Sequence, residues 1–170
     1  VLSALKQMMF DVKWAPLDVL IIDMPPGTGD TQLSIAQAIG LSGAVIVSTP
    51  QDIALLDARK GLNMFRKVNI PILGMVENMS MFVCPECGHE AHIFSHGGAE
   101  KAAKDLDVNF LGAVPLDLTV RQNTDEGKPV VVSAPDSAPA ETYRNLAKQI
   151  WTTLEENAEK AAQPVKIVIE

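Results

Sequence analysis

Two cysteines three positions apart, Cys84 and Cys87, are the residues of this chain best suited to grip a metal. They sit in Cys84-Pro85-Glu86-Cys87-Gly88, where proline and glycine favour a tight turn that lets both thiolates face one ion. One such pair supplies two ligands. With His92 and His96 just downstream it would complete a four-ligand zinc site in a single chain. Without them it supplies half of what a four-iron cluster needs, and a second copy would supply the rest. Spacing alone does not separate the two. A thioredoxin-type dithiol is disfavoured, because that pair opens a helix after a strand, whereas this one lies in a polar stretch. His89, His92 and His96 otherwise read as polar loop residues, with His96 placed to open the helix that follows.

A second group of residues suits phosphate chemistry. The apolar run Asp18-Val19-Leu20-Ile21-Ile22-Asp23 leads straight into Met24-Pro25-Pro26-Gly27-Thr28-Gly29-Asp30. A buried strand ending in Asp23 would deliver a carboxylate to the water shell of a Mg²⁺ held by nucleotide phosphates. An aspartate that merely caps a helix has the same local sequence. The two prolines stiffen the turn, while Gly27 and Gly29 let backbone N–H groups approach an anion, as a sensor of a terminal phosphate must.

Both groups need a scaffold, and the hydrophobic pattern supplies one. An amphipathic helix with Leu2, Leu5, Met9 and Val12 on one face opens the chain, which therefore reads as truncated at its start. The strand at 18–23 is followed by a helix at 31–39 closed by Gly40, a strand at 44–50, a helix at 53–68 and a strand at 72–77. A Cys/His-rich insert over 78–96 precedes a helix at 97–106, a strand at 110–114, a short helix near 119–126 and a long one over 138–161. Val165–Ile169 is either an edge strand or a tail. Apolar strands alternating with helices predict an α/β fold, a doubly wound and mainly parallel sheet with helices on both faces. In such sheets, ligands gather at the carboxyl ends of the strands.

At 170 residues with 47% hydrophobic and 21% charged residues, the sequence suits one folded domain: residues 1–161, with 162–170 as a tail. A net charge of -7 and the absence of a basic patch argue against nucleic acid as a partner. No apolar run approaches the roughly 20 residues that span a bilayer, and Val1–Phe10 lacks the pattern of a signal peptide, so no membrane partner is expected. Two closely spaced cysteines suit a reducing compartment.

Taken in order, Asp-Met-Pro-Pro-Gly-Thr-Gly-Asp at 23–30, Ser-Thr-Pro-Gln-Asp at 48–52, Glu-Asn-Met-Ser at 77–80 and Cys-Pro-Glu-Cys at 84–87 resemble the Mrp/ApbC family of iron–sulfur cluster carrier ATPases, which includes the mitochondrial Ind-type proteins. The resemblance runs from about residue 1 to about residue 150. It implies a P-loop NTPase fold of the deviant-Walker (SIMIBI) type, a homodimer, ATP with Mg²⁺, and a labile [4Fe-4S] cluster shared across the dimer by Cys84 and Cys87 of each subunit. It implies apo iron–sulfur proteins as recipients, in bacterial cytoplasm or the mitochondrial matrix. Asp23 resembles the family's switch carboxylate near Mg²⁺ and Gly27 the residue near the γ-phosphate. Asn78 resembles the residue that recognises adenine, Pro115 and Leu116 the segment beside the base, and Gln51 and Asp52 a subunit-contact segment. On residue chemistry alone, Asn78 is equally a turn residue, Pro115-Leu116 a strand-to-loop turn and Asp52 a helix N-cap.

The departure from the family is large. Its glycine-rich phosphate loop with a lysine has no counterpart here, since no Gly-x-x-x-x-Gly-Lys-Ser/Thr pattern occurs. That loop and its strand are expected ahead of Val1, leaving an apolar slot in the sheet and little ATPase activity in these residues alone. Two rival readings stand beside the carrier: a zinc-stabilised binding module without catalysis, and a partitioning or regulatory ATPase in which the cysteines are incidental.

Overall fold

The computed structural model describes residues 7–24, 27 and 29–162. After a π-helical turn over Gln7–Asp11, the elements are α1 (Asp30–Ala38), β1 (Ala44–Ser48), α2 (Asp52–Lys67), β2 (Ile72–Val83), β3 (Glu90–Ala91), α3 (Gly98–Asp105), β4 (Phe110–Leu116), α4 (Leu118–Asp125), α5 (Val130–Ser133) and α6 (Ala138–Ala162). The expected Leu2 and Leu5 positions and residues 163–170 of the expected 162–170 tail lie outside the described residues, while Ala162 is the last residue of α6.

Among the described residues the strands form one sheet in which β2 is central. It pairs in parallel with β1 on one edge and with β4 on the other, and its far end pairs antiparallel with β3. Parallel neighbours require crossovers, and these put helices on both faces. One face buries Ile46 and Met75 under Leu55, Leu62 and Phe65 of α2 and Ala99, Ala102 and Ala103 of α3. The other buries Val76, Leu111 and Val114 under Leu146 of α6. The alanines let α3 lie close to the strands. Its approach to α2 is tighter still, because a Cβ on Gly98 would stand 2.5 Å from the Pro50 carbonyl oxygen and 2.9 Å from Leu55 Cδ1.

Three expectations are corrected. The run 18–23 is not a strand: Val19, Leu20 and Ile21 are exposed, Ile21 at 87%. A parallel strand exists only through its ladder, and no described strand lies alongside this run to accept its N–H and C=O groups. Val47 of β1 is also exposed, at 59%. Second, the strand expected to end at Glu77 continues to Val83, so the first part of the expected insert belongs to β2, and Pro115 and Leu116 lie within β4 rather than after it. The β2–β4 register explains both, since Leu116 pairs with Phe82 beyond the point where the sequence pattern loses its apolar regularity. Third, Gln51 rather than Asp52 is the N-cap of α2, in extended backbone. Asp52 is the first helical residue, where its charge complements the helix dipole.

Candidate functional site

The cysteine turn is built at the far end of β2. Phe82 pairs with Ala91 and Val83 with Glu90, so residues 84–89 close a hairpin. Within it the Cys84 N–H donates to the His89 carbonyl at 3.0 Å and the Gly88 N–H to the Cys84 carbonyl at 2.8 Å. Gly88 sits at φ +70°, a left-handed conformation that favours glycine and brings the chain back for the return strand. Cys84 is half-buried and Cys87 exposed, and both are free thiols. The backbone N–H of Cys87, then that of Glu86 and the Cys87 side chain, hold the Cys84 thiol below the ordinary cysteine range, against a smaller opposing effect of burial. A thiol so placed gives up its proton readily, which a ligand to iron or zinc must do.

The histidines are placed elsewhere. His92 and His96 pack ring to ring, centroids 4.3 Å apart and planes tilted by 53°. His92 Nδ1 lies 3.3 Å from the Ser80 carbonyl, and since a carbonyl only accepts, Nδ1 is the donor. Among the described residues no group of three or more His, Cys, Asp or Glu side chains is arranged to hold a metal. The cysteine pair thus fits a thiolate site to which one chain brings two ligands.

The second cluster lies where β2 and β4 run side by side. Asn78 pairs with Val114, so Asn78, Pro115 and Leu116 occupy neighbouring positions of adjacent strands. Beyond Asn78 the ladder slips: its next paired residue is Phe82, opposite Leu116, and Met79 takes φ +55°, rare for an unbranched apolar side chain within a strand. The Met79 N–H freed by this bulge donates to Asn78 Oδ1 at 3.0 Å. Buried Ser80 donates its hydroxyl to the Val114 carbonyl at 3.1 Å. One residue before Asn78, the carboxylate of Glu77 accepts the Ala99 N–H at 2.8 Å, at the start of α3.

Asp23 is exposed, while Met24 packs against the core. Gly27, at φ +101°, and Gly29 both lie beside the buried side chain of Gln32, which is 3.4 Å from a Cβ built on either glycine. The structure therefore groups Asn78 with Pro115 and Leu116, Cys84 with Cys87, and Gly27 with Gly29 and Gln32. Sequence reasoning missed Glu77, Ser80 and Gln32. A glutamate at the end of an apolar strand run is a signal that could have flagged Glu77; Ser80 and Gln32 carry none, since their roles depend on strand and helix neighbours.

A parallel sheet covered by helices on both faces, with polar residues gathered where its central strands run side by side, defines the class: solved P-loop NTPases share this architecture. A nucleotide-binding protein from Archaeoglobus fulgidus, solved with ADP, superposes with a TM-score of 0.69 at 35% identity over 79% of this chain and 54% of its own. The cell division ATPase MinD of Pyrococcus furiosus superposes at 0.53 and 28% identity over 71% of this chain and 44% of its own.

The particular family follows from sequence: residues 1–151 match the ParA family described as NUBPL iron-transfer P-loop NTPase, and the chain belongs to that family. It is 54% identical to the mouse iron-sulfur cluster transfer protein NUBPL over 159 residues, 94% of this chain and 50% of the mouse protein. It is 49% identical to an Arabidopsis thaliana mitochondrial iron-sulfur protein required for NADH dehydrogenase, over 98% of this chain and 53% of that one. It is 52% identical to the Escherichia coli iron-sulfur cluster carrier protein, over 89% of this chain and 41% of the bacterial one. The chain thus spans about half the length of the curated relatives it matches. Among the described residues, no helix is long and apolar enough to cross a membrane.

Proposed function

We propose that this chain belongs to an iron–sulfur cluster carrier ATPase, which binds a [4Fe-4S] cluster as cargo between two copies and passes it to apo iron–sulfur proteins. The observation that carries the reading is the cysteine turn at the tip of β2, the strand that also holds Asn78 beside Pro115. The lowered Cys84 thiol suits an iron ligand, and two thiolates per chain leave a four-iron cluster to draw its other two from a second copy in a homodimer. An exposed, shared site releases its cargo readily, as a carrier requires.

On the nucleotide side, Asp23 would act on the Mg²⁺ of bound ATP, Gly27 would lie near the γ-phosphate, and Asn78, Pro115 and Leu116 would hold the base. The left-handed backbone of Gly27 supports the phosphate role, and the adjacency of Asn78 to Pro115 supports the base role. ATP binding and hydrolysis would bias a two-state dimer and change access to the cluster. Because no phosphate-loop pattern occurs in the sequence, these 170 residues alone are expected not to hydrolyse ATP. Residues 1–161 would form one ATPase domain and 162–170 a tail. The setting would be the mitochondrial matrix or the bacterial cytoplasm; the name of the Arabidopsis thaliana relative, which includes the word mitochondrial, supports the first.

A zinc knuckle is the weaker reading, because His92 and His96 are engaged with each other and with Ser80 rather than grouped with the thiols. Anaerobic reconstitution with iron and sulfide, followed by metal analysis and sizing, tests the proposal. About four irons and four sulfides per dimer are expected, and none in a Cys84→Ala/Cys87→Ala variant. One tightly bound zinc per monomer with no iron would overturn the carrier reading.

A further inference from the structure

The bulge in β2 separates the two clusters, and the side chains around it tie them together. Asn78 directly precedes Met79 in β2, and Cys84 directly follows the last residue of that strand, Val83. A bulged strand can bend where its ladder is interrupted, so a shift near Asn78 would be absorbed there unless something bridges the gap. Two contacts do so: the ladder resumes at Phe82 opposite Leu116, and Ser80 ties the bulge itself to β4. Its hydroxyl is bonded to the carbonyl of Val114, the residue before Pro115, and its own carbonyl receives His92 Nδ1 from beyond the cysteine turn. His92 directly follows Ala91, the residue that pairs with Phe82 to close the hairpin holding Cys84 and Cys87. A continuous hydrogen-bonded path therefore runs from the β4 backbone beside Pro115, through Ser80, to the base of the cysteine turn.

The path is also closed on its other side. His96 packs on His92 and leads through Gly97 into α3, whose Ala99 N–H is held by Glu77, next to Asn78. The cysteine hairpin is thus pinned to β2 at points before and after the bulge. The pins do not touch the thiols, so they set where the turn stands without taking part in binding.

We propose that Ser80 and His92 are positioning residues that transmit the state of the Asn78–Pro115 region to the Cys84–Cys87 turn. This rests on the reading above that Asn78 and Pro115 hold a nucleotide base, and it assigns the coupling to particular hydrogen bonds. Removing either bond leaves the Phe82–Leu116 pair as the remaining tie across the bulge, so more of the displacement is absorbed there and the thiols respond less to nucleotide.

The test uses the complete, cluster-free protein, with the alkylation rate of Cys84 by iodoacetamide read by mass spectrometry with and without Mg-ATP. Nucleotide affinity and the iron and sulfide content after reconstitution are measured on the same preparations. In the wild type, nucleotide is expected to change the alkylation rate about fivefold or more, the lower end of ordinary coupling between sites. Ser80→Ala and His92→Ala are each expected to cut that ratio by about half or more while nucleotide affinity and cluster content stay within about twofold of wild type. His92→Asn, whose side-chain amide can donate from nearly the place of Nδ1, is expected to restore the response. His92 is exposed, so its variants should fold even if Ser80→Ala is destabilised. A wild-type response that either variant retains in full overturns the proposal, and so does a wild type that binds nucleotide without any change at Cys84. Failure of the carrier reading shows separately, as a wild type that takes up no iron and sulfide.

Discussion

The carboxylate of Glu77 and the backbone N–H of Ala99 meet at 2.8 Å, with Glu77 only 2% exposed in the central strand and Ala99 in the first turn of α3. A buried carboxylate is costly unless it is bonded, and the N-terminus of a helix offers both unpaired N–H groups and a favourable dipole. The contact fixes α3 to β2 beside Asn78, and it leads to the first prediction. Glu77→Gln keeps an acceptor and should cost about 1 kcal/mol, whereas Glu77→Ala strands the Ala99 N–H and should cost about 2–3 kcal/mol. Urea unfolding of the two variants checks the order; equal losses would mean that the charge and the bond contribute nothing separately.

Gly98 faces the Pro50 carbonyl at a distance no Cβ can accept. Gly98→Ala must push α3 away from the start of α2 and should destabilise the fold by about 1–3 kcal/mol, although alanine favours helices. Gly61, inside α2 with open space around its Cβ position, is the control, and Gly61→Ala should be neutral or stabilising by up to about 1 kcal/mol. Thermal melts of the pair distinguish packing from propensity.

Cys84 should be alkylated with a pH midpoint below that of an ordinary cysteine, since its thiol is held low in the folded chain. The sign follows from the reactive species: the thiolate is fully present above the lowered value and is lost as pH falls through it. Because the largest cause is the Cys87 backbone N–H, Cys87→Ser should leave most of the depression in place. Unfolding in urea should return the midpoint to the ordinary range. A profile unchanged by unfolding would refute the turn geometry as the cause.

Leu111 lies where the β2–β4 register slips, and its carbonyl accepts the side-chain amide of Gln149 from α6 at 2.9 Å. Gln149→Ala should therefore cost about 1 kcal/mol by leaving that acceptor underused. Amide exchange would localise the loss to β4 and α6 rather than to β1 and α2.

The alternation of apolar strands and helices was legible because most elements from α1 onward carry their own periodicity; β3 and α5, of two and four residues, are too short to show one and were not expected. Leu55, Leu62 and Phe65 mark one face of α2, a β-branched run marks β1, and a continuous apolar run marks β4. The cysteine turn was equally legible, since Cys-Pro-Glu-Cys-Gly specifies its own local conformation. The strand expected at 18–23 was not decided by its residues. Val19, Leu20 and Ile21 have every local preference for a strand, but a ladder needs a neighbour, and none of the described strands provides one.

What the sequence by itself determined is therefore local: which of the longer segments from α1 onward are helices or strands, where the thiols sit, and the family to which the motifs belong. What only the tertiary structure decided is pairwise. That Glu77 caps α3 and that Ser80 bonds Val114 both depend on how segments distant in the chain are brought together. Periodicity constrains which face a residue occupies. The partner it meets there is set by how the strands slide past one another, and at the bulge after Asn78 that sliding is settled by the packing of the whole sheet.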